Sequence, residues 1–276
     1  MEAGKGKKGA GQDAEPQVDR AEELREQWGV EPGQLWRLPS RTPGQEHRLI
    51  CGDCTDSAVV ERVMEGEKAD MVFTDPPYGV EFGGRGGDSI EGDISYALIP
   101  LLFADLPTIT AEKCWIYICG GSSNFSLYAR LFDRYYRAWP RVIVWDKGSM
   151  TMRHNGYHSN YEFIYYTFTK GAGDRWYGSR AGEAATDVWH IDKPTNERLH
   201  PTEKPAELPQ RAIGNTCPAG GIVWEPFSGS GSTLIAAENL SRQCRAVEIS
   251  PGYVAVALER YMTAFDIEPQ LVESEN

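Results

Sequence analysis

The sequence has no long apolar run, few histidines and no regular cysteine framework, and each shortage closes off a class of protein. Its apolar stretches, such as ALIPLLFA at 97–104 and WIYIC at 115–119, fall far short of the roughly 18–20 residues that cross a bilayer. The N-terminal stretch MEAGKGKKGAGQDAEPQ holds no apolar signal core. The expectation is a soluble cytoplasmic protein with no membrane contact. Of the six cysteines only Cys51 and Cys54 stand in C-x-x-C spacing, whereas a disulfide scaffold or a zinc site needs further pairs or nearby histidines. All six are expected to be reduced, and no metal site is expected. Basic charge is short as well: 28 Lys and Arg face 40 Asp and Glu, a net charge of −12. That balance argues against indiscriminate affinity for phosphate backbones.

What is present is ordinary globular composition, 41% hydrophobic and 25% charged over 276 residues, which suits one domain of the larger kind. The charge is uneven. Residues 129–211 carry 13 basic and 10 acidic side chains, against 11 and 20 in 1–93 and 3 and 8 in 212–276. That basic segment also holds four of the five histidines and many aromatics, among them Trp139, Trp145, Tyr161, Trp176 and Trp189. Such a segment suits contact with nucleic acid, and equally a solvated face over some core aromatics.

Residues 1–20 are Gly, Lys, Gln and acid with almost nothing to bury, and read as a disordered tail. Residues 21–46 read as a short helix (AEELREQWGV) and a Pro/Gly-rich linker. Short apolar runs then alternate with helical periodicity: strands at 48–51, 70–74, 114–119, 141–145 and 161–168, and helices at 57–65, 95–105 and 124–137. A second block runs helix 205–215, strand 221–225, helix 232–240, strand 243–249, helix 252–264. The expected fold is α/β, a single doubly wound and mostly parallel sheet covered on both faces. One half spans 47–168 and the other 200–276. Between them, 169–199 is polar with Gly and Trp, and a long loop of this kind inside a compact α/β domain is usually a lid or a recognition element.

Two constellations carry chemistry. Asp75-Pro76-Pro77-Tyr78 follows the apolar MVF of 71–73, at the carboxyl end of a strand, where open α/β sheets place ligands. By itself it is equally a rigid turn. Its residues also fit methylation of an exocyclic amine on a planar ring. The lone pair of such an amine is delocalised, and two acceptors aimed at its N–H bonds draw the nitrogen toward a tetrahedral shape. Asp75 offers one acceptor and the Pro76 carbonyl, held by two prolines, the other. Tyr78 can stack on the ring of a base taken out of its helix.

The second constellation, Phe227-Ser228-Gly229-Ser230-Gly231-Ser232-Thr233, joins strand 221–225 to helix 232–240. Two glycines at such a turn let a ligand approach the backbone. No G-K-[ST] is present, and Leu234 stands where a dinucleotide fingerprint needs its third glycine. Glu248, ending the next strand, suits hydrogen bonds from ribose hydroxyls.

Together these residues resemble the DNA amino-methyltransferases of the adenine-N6 and cytosine-N4 type, in the beta arrangement, where the DPPY block precedes the F-x-G-x-G block. The resemblance covers roughly residues 30–265 through HRLICGD (47–53), TDPPYGV (74–80), VIVWDKG (142–148), NYEFIYYTFTKG (160–171), HPTEKP (200–205), EPFSGSGST (225–233) and CRAVEIS (244–250). It implies the seven-stranded-type fold of S-adenosylmethionine-dependent methyltransferases, with S-adenosylmethionine as cofactor. It also implies a catalytic pocket of Asp75, Pro76, Pro77 and Tyr78. Cofactor contacts would come from Asp53, Thr202, Lys204, Phe227, Gly229, Gly231, Ser232, Thr233 and Glu248, with Lys204 and Thr202 toward the cofactor's carboxylate. Two departures stand out: Glu225 occupies a position where the family more often has Asp, and the recognition stretch has only about thirty residues.

The implied partner is duplex DNA, with a homodimer and a cognate restriction endonuclease as further partners. Arg130, Arg134, Arg137, Arg141, Lys147, Arg153, Arg175, Arg180 and Arg198 become candidates for phosphate contact. Arg130, Arg134 and Arg137 share one helix face at i, i+4, i+7. The reading is adenine-N6 methylation of a flipped base, adenine being favoured because cytosine-N4 members more often carry Ser in place of Asp75. The alternatives are cytosine N4, an RNA base or glutamine amide as substrate, and a DNA-binding module without turnover.

Overall fold

The computed structural model describes residues 11–77, 95–136, 138, 140–151, 157–178, 185–192 and 204–272. In chain order the elements are α1 (Ala21–Trp28), β1 (Leu35–Pro39), β2 (Glu46–Cys51), α2 (Ser57–Met64), β3 (Ala69–Thr74), α3 (Ser95–Ile109), β4 (Thr110–Gly120), α4 (Phe125–Tyr136), β5 (Arg141–Thr151) and β6 (Ser159–Phe168). After these come β7 (Val188–His190), α5 (Glu207–Thr216), β8 (Ile222–Glu225), α6 (Ser232–Asn239), β9 (Gln243–Glu248), α7 (Pro251–Phe265) and β10 (Gln270–Val272).

The described strands form one sheet in the order β10-β1-β2-β9-β8-β3-β4-β6-β5-β7. Strands β2, β9, β8, β3 and β4 run parallel, β6 is antiparallel between β4 and β5, and β7 lies parallel to β5. Alternation along the strands serves both faces. Met71, Phe73, Trp115, Tyr117 and Cys119 face a core covered by α1, α5, α6 and α7. Val72, Cys114, Ile116 and Ile118 face the opposite core, under α2, α3 and α4. The doubly wound, mostly parallel sheet is therefore as expected, and its caps follow the sequence. Asp56 accepts from the Ala58 N–H to open α2. Ser250 caps α7, whose first residue is Pro251.

Three expectations are corrected. The linker of 31–46 contains β1, which pairs with both β2 and β10 and extends the sheet. Of the tail expected to be disordered over 1–20, residues 11–20 pack against the protein and 1–10 lie outside the described residues. Asp13 pairs with the buried Arg260 at 2.9 Å, and Asn239 donates to the Gln12 carbonyl at 2.7 Å. A polar strap needs no core of its own when a buried cation recruits its carboxylate. The stretch 169–199, expected to be a recognition insertion, is partly structural. Residues 171–178 fold back to the amino end of the sheet, where Trp115 donates to the Ala172 carbonyl at 2.8 Å and Tyr177 N–H to the Asn215 carbonyl at 2.7 Å. Trp176 packs there 6.0 Å from Trp115, ring to ring.

Candidate active site

Because β3 and β8 are parallel neighbours, paired at Met71 with Val223 and Val72 with Trp224, the turns that follow them leave the sheet at the same end. Asp75-Pro76-Pro77 and Phe227–Gly231 thus lie side by side although about 150 residues separate them in the chain. Lys204 ties the first turn to the start of α6, directly after the second. Its Nζ donates to Asp75 Oδ2 at 2.7 Å, and its carbonyl accepts from Ser232 Oγ at 2.7 Å. Tyr78 and Thr202 lie outside the described residues.

The glycine-rich turn is built for close approach. Gly229 and Gly231 have φ of +51° and +83°, a region that side chains disfavour. A Cβ at Gly229 would meet nothing within 4 Å, so the backbone there opens onto free space. Ser232 and Thr233 instead face inward: Thr233 Oγ1 donates to Glu225 Oε2 at 2.9 Å, and Arg260 donates to Ser230 O at 3.2 Å and to Ser232 Oγ at 3.3 Å. Glu225 also accepts from the Phe227 N–H at 3.1 Å. The longer side chain thus braces the turn from below. Burial pushes its carboxyl up to about 8, the hydrogen bonds from Phe227 and Thr233 opposing this and the charge of Asp75 adding to it.

Glu248 Oε2 accepts from Gly229 N–H at 2.8 Å and its Oε1 from Ser250 N–H at 2.9 Å. The carboxylate has lone-pair capacity beyond these bonds that a diol could use, and burial raises its pKa against the opposing backbone hydrogen bonds of Ser250, Gly229 and Ile249. Asp53 stands beside it, because Gly52 N–H donates to the Glu248 carbonyl at 2.9 Å. Asp53 is exposed, with Oδ1 accepting from Thr55. Motif reading missed Ile249, which is 68% exposed next to Glu248; an apolar residue directly after a carboxylate at a strand end was the available signal. Open backbone at Gly229, a carboxylate for a diol, and the apolar Ile249 and half-buried Phe227 fit a nucleoside-bearing cofactor.

The cations are placed differently from expectation. Lys204 points to Asp75 and also lies 3.3 Å from Glu162 Oε2. Its ammonium is thus set between two carboxylates, where a cofactor carboxylate had been expected. Burial would lower its pKa, but Asp75 and Glu162 more than offset that and hold it well above the usual lysine value. Lys147 is 6% exposed and paired with Glu162 at 3.2 Å, so a phosphate cannot reach it. Arg175 pairs with Asp70 at 2.8 Å and donates to the Lys113 carbonyl, at the end of the sheet opposite the site. Both are removed from the phosphate-contact set. Arg130, Arg134 and Arg141 are exposed; Arg134 covers the Tyr135 ring and Arg141 the Phe168 ring. Helix α4 begins at the site end, directly after β4, and carries Arg130 and Arg134 away from it. Arg137, Arg153, Arg180 and Arg198 lie outside the described residues.

The described residues contain no helix long and apolar enough to cross a membrane. A family model described as DNA methylase, of the N6/N4 type, matches residues 69–259. The chain belongs to this family of S-adenosylmethionine-dependent DNA amino-methyltransferases.

Among its relatives, the type II methyltransferase M.HpaI of Haemophilus parainfluenzae is 23% identical over 252 residues, covering 80% of this chain and 76% of that one. The putative methylase YubD of Escherichia coli K12 is 27% identical over 223 residues, covering 77% and 89%. The solved complex of M1.HpyAVI with S-adenosylmethionine superposes with a TM-score of 0.62 at 22% identity, covering 77% of this chain and 97% of its own. The cytosine-N4-specific PvuII DNA methyltransferase superposes at 0.59 with 17% identity, covering 83% and 87%. Both superpositions share the fold described above.

Proposed function

We propose that this protein methylates N6 of adenine in duplex DNA, taking the base out of the helix and binding S-adenosylmethionine over residues 227–231. The supporting observation is the adjacency of the two turns, with Lys204 bonded to Asp75 in the one and to Ser232 directly after the other. Gly229, Gly231 and Phe227 would line the cofactor, Glu248 would accept from its ribose, and Asp53 and Ile249 would flank its adenine. When bound, S-adenosylmethionine supplies a methyl on a cationic sulfur, so that the new N–C bond forms as the C–S bond breaks and its electron pair stays on sulfur.

The chain's own residues then have to make a poor nucleophile reactive. Asp75 and the Pro76 carbonyl accept the two N6 hydrogens, which turns the nitrogen lone pair toward the incoming carbon. Pro76 is buried and Pro77 half-buried, so the turn is set before substrate arrives. After transfer the nitrogen is cationic and its extra proton acidic; it leaves along the hydrogen bond to Asp75. Asp75 therefore works as an ionised acceptor.

Adenine is preferred to cytosine because an Asp stands at position 75. The test is nucleoside analysis of duplex DNA methylated by the purified protein. N6-methyladenine is the expected product, and N4-methylcytosine alone would overturn the adenine assignment. Asp75→Ala is expected to lower turnover about 10²–10⁴-fold while S-adenosylmethionine still binds. Transfer of labelled methyl to RNA or peptide in preference to duplex DNA would overturn the substrate class.

A further inference from the structure

Four charged side chains form a row of alternating sign that ends on the Asp75-Pro76-Pro77 turn. Asp75 meets Lys204 at 2.7 Å, Lys204 meets Glu162 at 3.3 Å, and Glu162 meets Lys147 at 3.2 Å. They come from the end of β3, the stretch before α5, the middle of β6 and the middle of β5. The two lysine side chains are only 10% and 7% exposed, and a buried ammonium is costly unless paired and hydrogen-bonded. Cations that contact phosphate or keep a surface soluble are not buried in this way.

We propose that Lys204 is a positioning residue for Asp75. It fixes one carboxylate oxygen and keeps the group an anionic acceptor, while Glu162 and Lys147 clamp Lys204 in place. The inference rests on the methyltransferase reading above. Apart from Lys204, the titratable groups that face Asp75 among the described residues are acids: Glu225 at the end of β8, Cys119 on β4 and Tyr128 on α4. Glu162 on β6 lies just behind Lys204, and Lys147 on β5 is one step further. Burial keeps Glu225, Cys119 and Tyr128 protonated and neutral near neutral pH, so Lys204 brings Asp75 a positive charge that they do not supply. Glu162 behaves as a clamp should. Burial would raise its pKa, but the ammonium groups of Lys204 and Lys147 bring it below the ordinary value. The Lys204 main chain is held in turn by Ser232 at the start of α6, so the ammonium is delivered from a fixed point.

The experiment uses the full chain and starts from wild-type methyl transfer to duplex DNA. In Lys204→Met the acid limb of the pH profile of kcat is expected to move up by about one to three units, and kcat to fall about 100-fold. Calorimetric titration is expected to show S-adenosylmethionine binding within about threefold of wild type. Lys204→Arg, which keeps the charge, is expected to restore the limb. Lys204→Gln, which keeps a hydrogen bond without charge, is expected to shift it as Met does, and decides the matter if the Met variant does not melt cooperatively. An unmoved acid limb in both neutral variants would overturn the proposal. So would a cofactor affinity lowered tenfold or more with the limb in place, which would make Lys204 a cofactor ligand. A wild-type protein that transfers no methyl to DNA would instead overturn the parent reading.

Discussion

Gly229 and Gly231 share a left-handed backbone but not an environment, and the difference yields opposite orders of damage to stability and to cofactor affinity. An alanine methyl at 229 would meet no atom within 4 Å, whereas at 231 it would stand 3.0 Å from the Cβ of Ala257 on α7. Gly229→Ala therefore carries only the backbone penalty, about 1–2 kcal/mol, lowering Tm by about 2–6 °C. Gly231→Ala adds an overlap of roughly 1–3 kcal/mol, for a total fall of about 5–15 °C. For the cofactor the order reverses. The methyl at 229 projects into the open space over the turn and is expected to weaken S-adenosylmethionine binding tenfold or more, about 1.4 kcal/mol. The methyl at 231 points toward α7 and affects binding less. Thermal melts and calorimetric titration of both variants check this. Wild-type affinity in Gly229→Ala would refute a cradle over that residue, and equal Tm losses would refute the packing argument.

Two further outcomes follow from buried charges. The Glu225 carboxyl is raised to about 8 by burial, so between about pH 4.5 and 8 the folded protein binds the proton that the unfolded chain releases. Stability from this group is complete below the lower value and declines as pH rises, by at most about 1.4 kcal/mol per pH unit. Glu225→Gln, always neutral, is expected to flatten that slope in urea denaturation and to exceed wild type at pH 8 and above; an unchanged slope would exclude Glu225 as its source. Asp13→Ala leaves Arg260, 4% exposed, without its carboxylate. The expected loss is about 1–2 kcal/mol, together with weaker cofactor binding, because Arg260 holds Ser230 and Ser232 in the glycine-rich turn. A melt and a titration identical to wild type would show that the strap does not support the turn.

Much of the sheet could be read from periodicity, because MVF at 71–73, WIYIC at 115–119 and GIVWE at 221–225 are long enough apolar runs for burial on two faces. The strands β1 and β10 were not legible. LWRLP is bounded by prolines and turns and QLV is three residues long, and only pairing with each other and with β2 makes them strands. The motif residues Asp75, Gly229, Gly231 and Glu248 declare themselves locally, since a rigid turn, a positive φ and a strand-end carboxylate have local causes. The charged residues do not. In sequence Lys147 and Arg175 read as phosphate contacts and Lys204 as a cofactor contact, and their partners Glu162, Asp70 and Asp75 are 15, 105 and 129 residues away. Only the topology of the sheet brings each pair together.

The return of residues 171–178 to the floor of the sheet matters for anyone who would re-engineer specificity. A chimera that exchanged 169–199 as a single cassette would tear out Trp176 from beside Trp115 and Arg175 from Asp70, which also accepts from the first N–H of β8 at 3.1 Å. Asp70 would then keep the β8 N–H but lose its cation, and the graft would be destabilised whatever its merits as a reader of DNA. The splice point belongs after β7, where Ile191 N–H bonds to the Asp146 carbonyl at 3.2 Å and the chassis hands over to whatever follows.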